Sequence, residues 1–334
     1  MKHLMVMTLG AALLLGGCAT GGGATDVKDS KSVKLDTHKL DVMAGKKQIY
    51  IGNVGVTFIT EDSGSAKSSS PMIRHSSGGE YAKANLKAYL TGVPEDTFRE
   101  ITDGIYADLK AKLEANGYTV LSYAQLQQQK GWSKLKTLEQ PYTPGSMPFS
   151  KKSANLTYAP ASMDLVTAPD INNQFKIGDI AKDMGIPVLL AHYTIHFAYF
   201  GEDADVYHNY YGGPTGQGTT ELKASVTLGQ GIQVLAGSGV TFLNEGAGTF
   251  AKNGHIRLKD PIIVKGAYGE NEDTTSAGWK AANALSSTLG FFSGSSSKTT
   301  QISVNANPAF YEEGVLIAAT ATNDRIVSEL ATAK

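Results

Sequence analysis

Between Pro94 and Asn116 the apolar residues Phe98, Ile101, Ile105, Leu109 and Leu113 recur at three- and four-residue spacing. That spacing lines one stripe of an α-helix, and such a stripe must be buried against another layer. Glu95 and Asp96 suit the positive N-terminal end of the helix, and Gly117 supplies a left-handed stop. Strand-like runs flank it: 48–59, with Gly52 and Gly55 as expected bulge or close-approach points, and 118–121. A strand–helix–strand order calls for a crossover and parallel pairing. The expected fold class is therefore α/β: a mixed sheet flanked by helices, with long loop insertions and an antiparallel extension.

The rest of the chain fills in that frame. The Ser/Gly-rich stretch 61–79 reads as a loop, 81–90 as a short amphipathic piece, and 123–130 as a short helix. Prolines at 141, 144, 148, 160 and 169 make 131–170 a wrapping loop. A helix at 177–185 (Ile180, Ala181 and Met184 inward) leads into the strongest strand, 187–200. There Leu189, Ala191, Tyr193, Ile195, Phe197 and Tyr199 form one apolar face. Turn-rich 201–218 precedes strands near 221–228, 232–243 and 255–268, a helix at 276–289 and a strand at 300–304. Asn307 and Pro308 read as a helix cap and first turn. The helix they open, 308–331, carries Phe310, Val315, Ala318, Ala319, Thr322, Ile326 and Leu330 on one face.

The N-terminus speaks to location. Lys2 and His3, an apolar stretch from Leu4 to Leu15 and two glycines make a signal peptide over residues 1–17, too short to span a bilayer as a helix. Cys18, the one cysteine of the chain, ends it. Leu14-Leu15-Gly16-Gly17-Cys18 resembles the bacterial lipobox, which implies cleavage before Cys18 and acylation of its thiol, palmitate included. Ala19 rather than aspartate then implies sorting to the outer membrane. A cysteine used this way leaves none for disulfides, thiolate metal sites or a thiol nucleophile. Residues 18–47, polar and rich in Lys and Asp, read as a lipidated flexible tether. The body is then a single α/β domain over 48–331, with insertions at 60–94, 131–170 and 201–300.

Motifs for chemistry are sparse. The formal net charge is -1 and no long basic block occurs, so a nucleic-acid footprint is absent. His192 and His196 have the spacing of a helical metal pair, but on a strand they stand roughly 13 Å apart along it. Both read as polar strand residues. Acidic runs at 202–205 and 269–273 read as solvated turns, with weak calcium binding as the alternative. Ser295 to Lys298 fits S-x-x-K, yet sits in a serine-rich loop without partner motifs. The glycines at 229, 231, 237 and 239 precede no helix, so they form no dinucleotide-binding turn. Stretch 226–250 alternates apolar and small residues, which suits a soluble hairpin or a membrane-spanning one. The apolar tip 289–294 reads as a contact surface or a tucked loop. No cofactor and no metal are expected, and the chain reads as non-catalytic.

The element order, together with the lipobox, resembles the curli-secretion lipoprotein family and its relatives among flagellar outer-membrane lipoproteins and activators of cell-wall synthases. The matching parts are strand 49–59, helix 95–116, strand 118–121, helix 123–130, helix 177–185 running through Gly185-Ile186-Pro187 into strand 187–200, and helix 308–331. The resemblance implies an outer-membrane lipoprotein with its body in the periplasm or at the cell surface. The insertions depart from the pattern. The expected function is a non-catalytic structural or assembly component of a cell-envelope complex. Its partners would be the outer membrane through Cys18, and an envelope protein or further copies of the chain. Two alternatives stand beside it: an oligomeric outer-membrane pore or secretion-channel subunit, and a periplasmic ligand-binding protein or hydrolase.

Overall fold

The computed structural model describes residues 25–69, 81–143, 155–166, 171–210, 218–245, 253–265, 269–273, 280–282 and 296–333. Short strands β1 (Thr25–Asp26) and β2 (Leu35–His38) precede the long β3 (Gln48–Ile59). Then come β4 (Glu61–Ser69), β5 (Tyr81–Thr91), α1 (Glu95–Ala115), β6 (Thr119–Leu121) and α2 (Tyr123–Gln127). β7 (Asn155–Tyr158) and α3 (Ile171–Met184) lead to β8 (Val188–Tyr210), followed by β9 (Gly218–Val234). The remainder is β10 (Gly239–Leu243), β11 (Gly254–Leu258), β12 (Ile262–Lys265), β13 (Gly269–Asp273), β14 (Lys280–Ala282), β15 (Ser296–Ala306) and α4 (Pro308–Ala331).

The strands form two sheets. In the ten-stranded one the order is β1-β12-β9-β8-β10-β11-β2, with β3 parallel to β8 and carrying β6 and β7. The second has the order β14-β13-β15-β5-β4, and in it only β15 and β5 run parallel. The mixed α/β class expected from the strand–helix–strand order is the observed one.

Strand β8 is covered on both faces, as a near-continuous apolar run requires. Leu189, Ala191, Tyr193, Ile195 and Phe197 join the main core with α1 and α4. Val188 and Leu190 join a second core with Leu126, Trp132, Ile177 and Ile180. The α1 stripe is buried throughout, and Phe98 meets Phe58 with ring centroids 4.7 Å apart. Gly117 takes φ +88° after the helix. Asn307 caps α4, its Oδ1 accepting from the Ala309 and Phe310 amides at 3.1 and 3.4 Å. On α4 Val315, Ala318, Ala319, Thr322, Ile326 and Leu330 are buried, but Phe310 is 59% exposed. Tyr311, which continues the 315–318–322–326 spacing one turn back, takes the buried place instead. Gly52 is the bulge of β3: the register with β8 shifts between Ile51 and Asn53, and a Cβ at 52 would lie 2.5 Å from Val188 Cγ1.

Several expectations are corrected. Much of the expected tether 18–47 is part of the body. Thr25 pairs with Ile262, β2 pairs with β11, and Val33 and Met43 are buried. Arg325 Nε donates to the Val33 carbonyl at 3.1 Å. Edge segments need few apolar anchors because backbone pairing holds them, so a polar composition misleads there. What is left of the tether, 18–24, lies outside the described residues.

The loop expected at 61–79 begins as strand β4, and the piece at 81–90 is its partner β5. Turn-rich 201–218 is strand as far as Tyr210, and the acidic runs lie in strands β8 and β13 rather than in turns. Ser296 to Lys298 belong to strand β15, not a loop. The wrapping stretch 131–170 contributes β7 to the sheet, and α3 starts earlier than expected, at Ile171. Of the expected helix 276–289, residues 280–282 form strand β14 and the others lie outside the described residues. The expected hairpin 226–250 does not form. β9 and β10 each pair with β8, on successive stretches, so β10 prolongs the line of β9 past an interruption at 235–238.

Candidate functional site

Cys18 and the tip 289–294 lie outside the described residues. Among the described residues, no group of three His, Cys, Asp or Glu side chains stands close enough to hold a metal ion. None of the described helices is long and apolar enough to cross a membrane, which leaves open what strands do. Three places remain where polar or open surface gathers: a junction between the sheets, a pocket where β9 gives way to β10, and a groove along α4.

The junction is built on β8. A second bulge falls between His196 and Ala198, and Gln233 Nε2 fastens it by donating to the Ala198 carbonyl at 2.7 Å. His196 is buried, and its Nδ1 accepts from the Ala198 amide at 2.9 Å. That bond leaves the ring proton on Nε2, which donates to Asp62 Oδ2 at 2.7 Å. Asp62 stands on β4, so the bond ties one sheet to the other. Burial works to raise the Asp62 pKa, but the hydrogen bonds from His196 and the Ser63 amide prevail and hold it below the ordinary value.

The pocket, of about 300 Å³, opens where the ladder is interrupted. At 235–238 the Ser238 hydroxyl replaces a ladder group, accepting from the Thr194 amide at 3.0 Å. Register then sets four residues side by side across four strands: Gly55 on β3, His192 on β8, Gly239 on β10 and Arg257 on β11. Thr157, Leu165 and Gln174 complete the walls from β7, the following segment and α3. Water reaches the His192 ring, yet the surrounding protein strips enough hydration to lower its pKa, and the Arg257 charge lowers it further. His192 Nε2 lies 3.2 Å from Thr194 Oγ1. The two histidines that sequence reasoning treated alike thus have separate tasks, one inside the junction and one on the pocket floor.

The groove, about 680 Å³, runs between α4 and the turn 27–32. Leu316, Ile317, Glu312 and Glu313 line it from α4, and Val27 lines it from the turn.

Sequence reasoning missed the pocket because its residues come from separate segments and carry no spacing motif. It missed the junction because Asp62 sat in a presumed loop. The signal for β5 was present: Ala82, Ala84, Leu86, Ala88 and Leu90 alternate with Lys83, Asn85, Lys87 and Tyr89. No family model, curated protein or solved structure matches the chain.

Proposed function

We propose that the chain is a non-catalytic outer-membrane lipoprotein, anchored through lipid on Cys18, that serves as a structural or assembly component of a cell-envelope complex. The observation that carries this reading is the terminal place of β4 among the described strands of the second sheet. β4 is its terminal strand, nine residues long, and no described strand pairs with its outer side. Such an edge is a template for strand addition by a partner or a further copy, and β4 contains no proline to prevent it. The signal-like N-terminus and Cys18 supply the compartment.

Strand length favours a second reading, an oligomeric outer-membrane channel. β4, β5 and β15 have 9, 11 and 11 residues, matching the ~9–11 of a membrane-spanning strand. The alternation along β5 is of the kind such strands carry. Here Ala84, Leu86 and Ala88 are buried in the core, so insertion requires the second sheet to part from β8 and β9.

Palmitate labelling and membrane fractionation of the full chain and Cys18→Ser test the anchor. Loss of label and release from the outer membrane are expected for the variant; an unlabelled wild-type chain sinks the anchor. Cross-linking in intact cells, with cysteines placed along β4, tests the edge. Defined adducts to one protein or to a second copy support assembly, and capture of abundant porins alone removes it. Steps of conductance in planar bilayers, together with detergent-stable rings, would select the channel reading.

A further inference from the structure

We propose that the pocket beside His192 is a binding site for a small carboxylate-bearing molecule, held by Arg257 at one end of the row and open to solvent at its mouth. This inference goes beyond the assembly reading and does not depend on it.

The argument begins with charge. Among the described residues lining the pocket there is no carboxylate, and Arg257 is the one formal charge. Its guanidinium has five N–H donors. Among the described residues it makes one hydrogen bond, from Nη2 to Thr241 Oγ1 at 3.3 Å, and no ion pair. Asp36, its register partner on β2, is engaged by His255 Nε2 at 3.2 Å. Arg257 is exposed at the rim, and its fork of spare donors there matches a carboxylate better than any neutral group.

Space points the same way. His192 is flanked in its row by Gly55 and Gly239, so no neighbouring side chain fills the trough between His192 and Arg257. Gly239 has a reason of its own: at φ +156°, a Cβ there would lie 2.1 Å from the Ile256 carbonyl oxygen. Gly55 has none. A Cβ on Gly55 would meet Asn53 Nδ2 at 3.5 Å, and His192 Nδ1 and Leu165 Cδ1 at 3.8 Å, all ordinary contacts. The fold tolerates a methyl group at 55, and a branched side chain there takes up part of the open volume. At about 300 Å³ the cavity stands at the small end of ligand sites, sized for an amino-acid-like acid rather than a nucleotide. Gln174 supplies an amide group for a polar body attached to the carboxylate, while the Thr157 hydroxyl is engaged by Thr57 Oγ1 at 2.9 Å.

The test uses the detergent-solubilised full chain with N-acetylglycine as probe, its methyl ester as the neutral control, and inorganic phosphate as a second anion. Calorimetry and the His192 ring resonances are followed together. Saturable binding of N-acetylglycine, none of the ester, and a His192 pKa that rises on binding are expected. Arg257→Gln should weaken binding about tenfold or more. Gly55→Val should abolish it while the circular dichroism and melting temperature stay close to wild type. Equal binding of acid and ester overturns the proposal, as does binding of phosphate in place of the acid. Absence of saturable binding, or full binding by Arg257→Gln, overturns it too.

Discussion

The two sheets of this molecule solve the same problem with different residues. Around β3 and β8 the core is built from large side chains: Phe58, Phe98, Tyr158 and Tyr311 form one aromatic cluster, with Phe98 4.7 Å from Phe58 and 6.0 Å from Tyr311. In the second sheet the buried face is mostly small: Ala66, Ala84 and Ala88, with Leu86, Thr300, Ile302 and Val304. Thr300 Oγ1 is buried there without a hydrogen-bond partner among the described residues. Large side chains bury more area and interlock, so the first region derives its hold from side chains. The second derives more of its hold from the backbone ladder and needs a close approach of the sheets. The region with the smaller buried side chains is thus also the one in which β4 ends the order of described strands.

Mutations can break that contrast. Phe58→Ala should cost about 3–5 kcal/mol and sharply lower the melting temperature, since it removes a fully buried ring packed on Phe98 and Tyr158. A cost below ~1 kcal/mol would show that the first core is no more demanding than the second. Ala88→Leu should cost about 1–3 kcal/mol by overpacking a fully buried small position. Thermal unfolding without change would mean the sheets already stand apart in solution.

Asp62→Asn should cost about 1 kcal/mol at neutral pH, because a neutral amide accepts the His196 bond more weakly. The sign follows from the lowered pKa. A carboxyl depressed in the folded state contributes stability above its unfolded value near 3.8 and loses it as pH falls through the folded value. Denaturant titrations of wild type between pH 5 and 2 should therefore fall more steeply than those of the variant. Smallest of all, Arg257→Gln should leave the unfolding free energy within about 0.5 kcal/mol of wild type and raise the His192 pKa, read by NMR titration. An unmoved His192 would show that the two side chains do not share the pocket.

Legibility in the sequence tracks this contrast. α1 and α4 were readable because long apolar stripes and an Asn-Pro cap leave strong periodic signals. Gly52 was readable because glycine within a β-branched run has few other uses. β4 was not, since Gly64 and Ala66 at its inward places carry little hydrophobic signal, although small residues are what a close sheet approach needs. The Phe310 reading failed by one residue, which is a rotation of about 100° on a helix and enough to exchange core for solvent. The pocket could not be read: Gly55, His192, Gly239 and Arg257 become neighbours through register alone, and the interruption at 235–238 that opens it falls inside the stretch 232–243 that reads as one strand.

The packing of Thr25 to Met43 against the body has a consequence for how the molecule sits in its surroundings. Seven peptide links separate Cys18 from Thr25, and a fully extended chain covers at most ~3.6 Å per residue. Wherever Cys18 is fixed, the start of β1 is held within roughly 25 Å of that point. Were Cys18 the anchor proposed above, the side bearing β1, the turn 27–32 and α4 would lie nearer the point of attachment than the rest of the body.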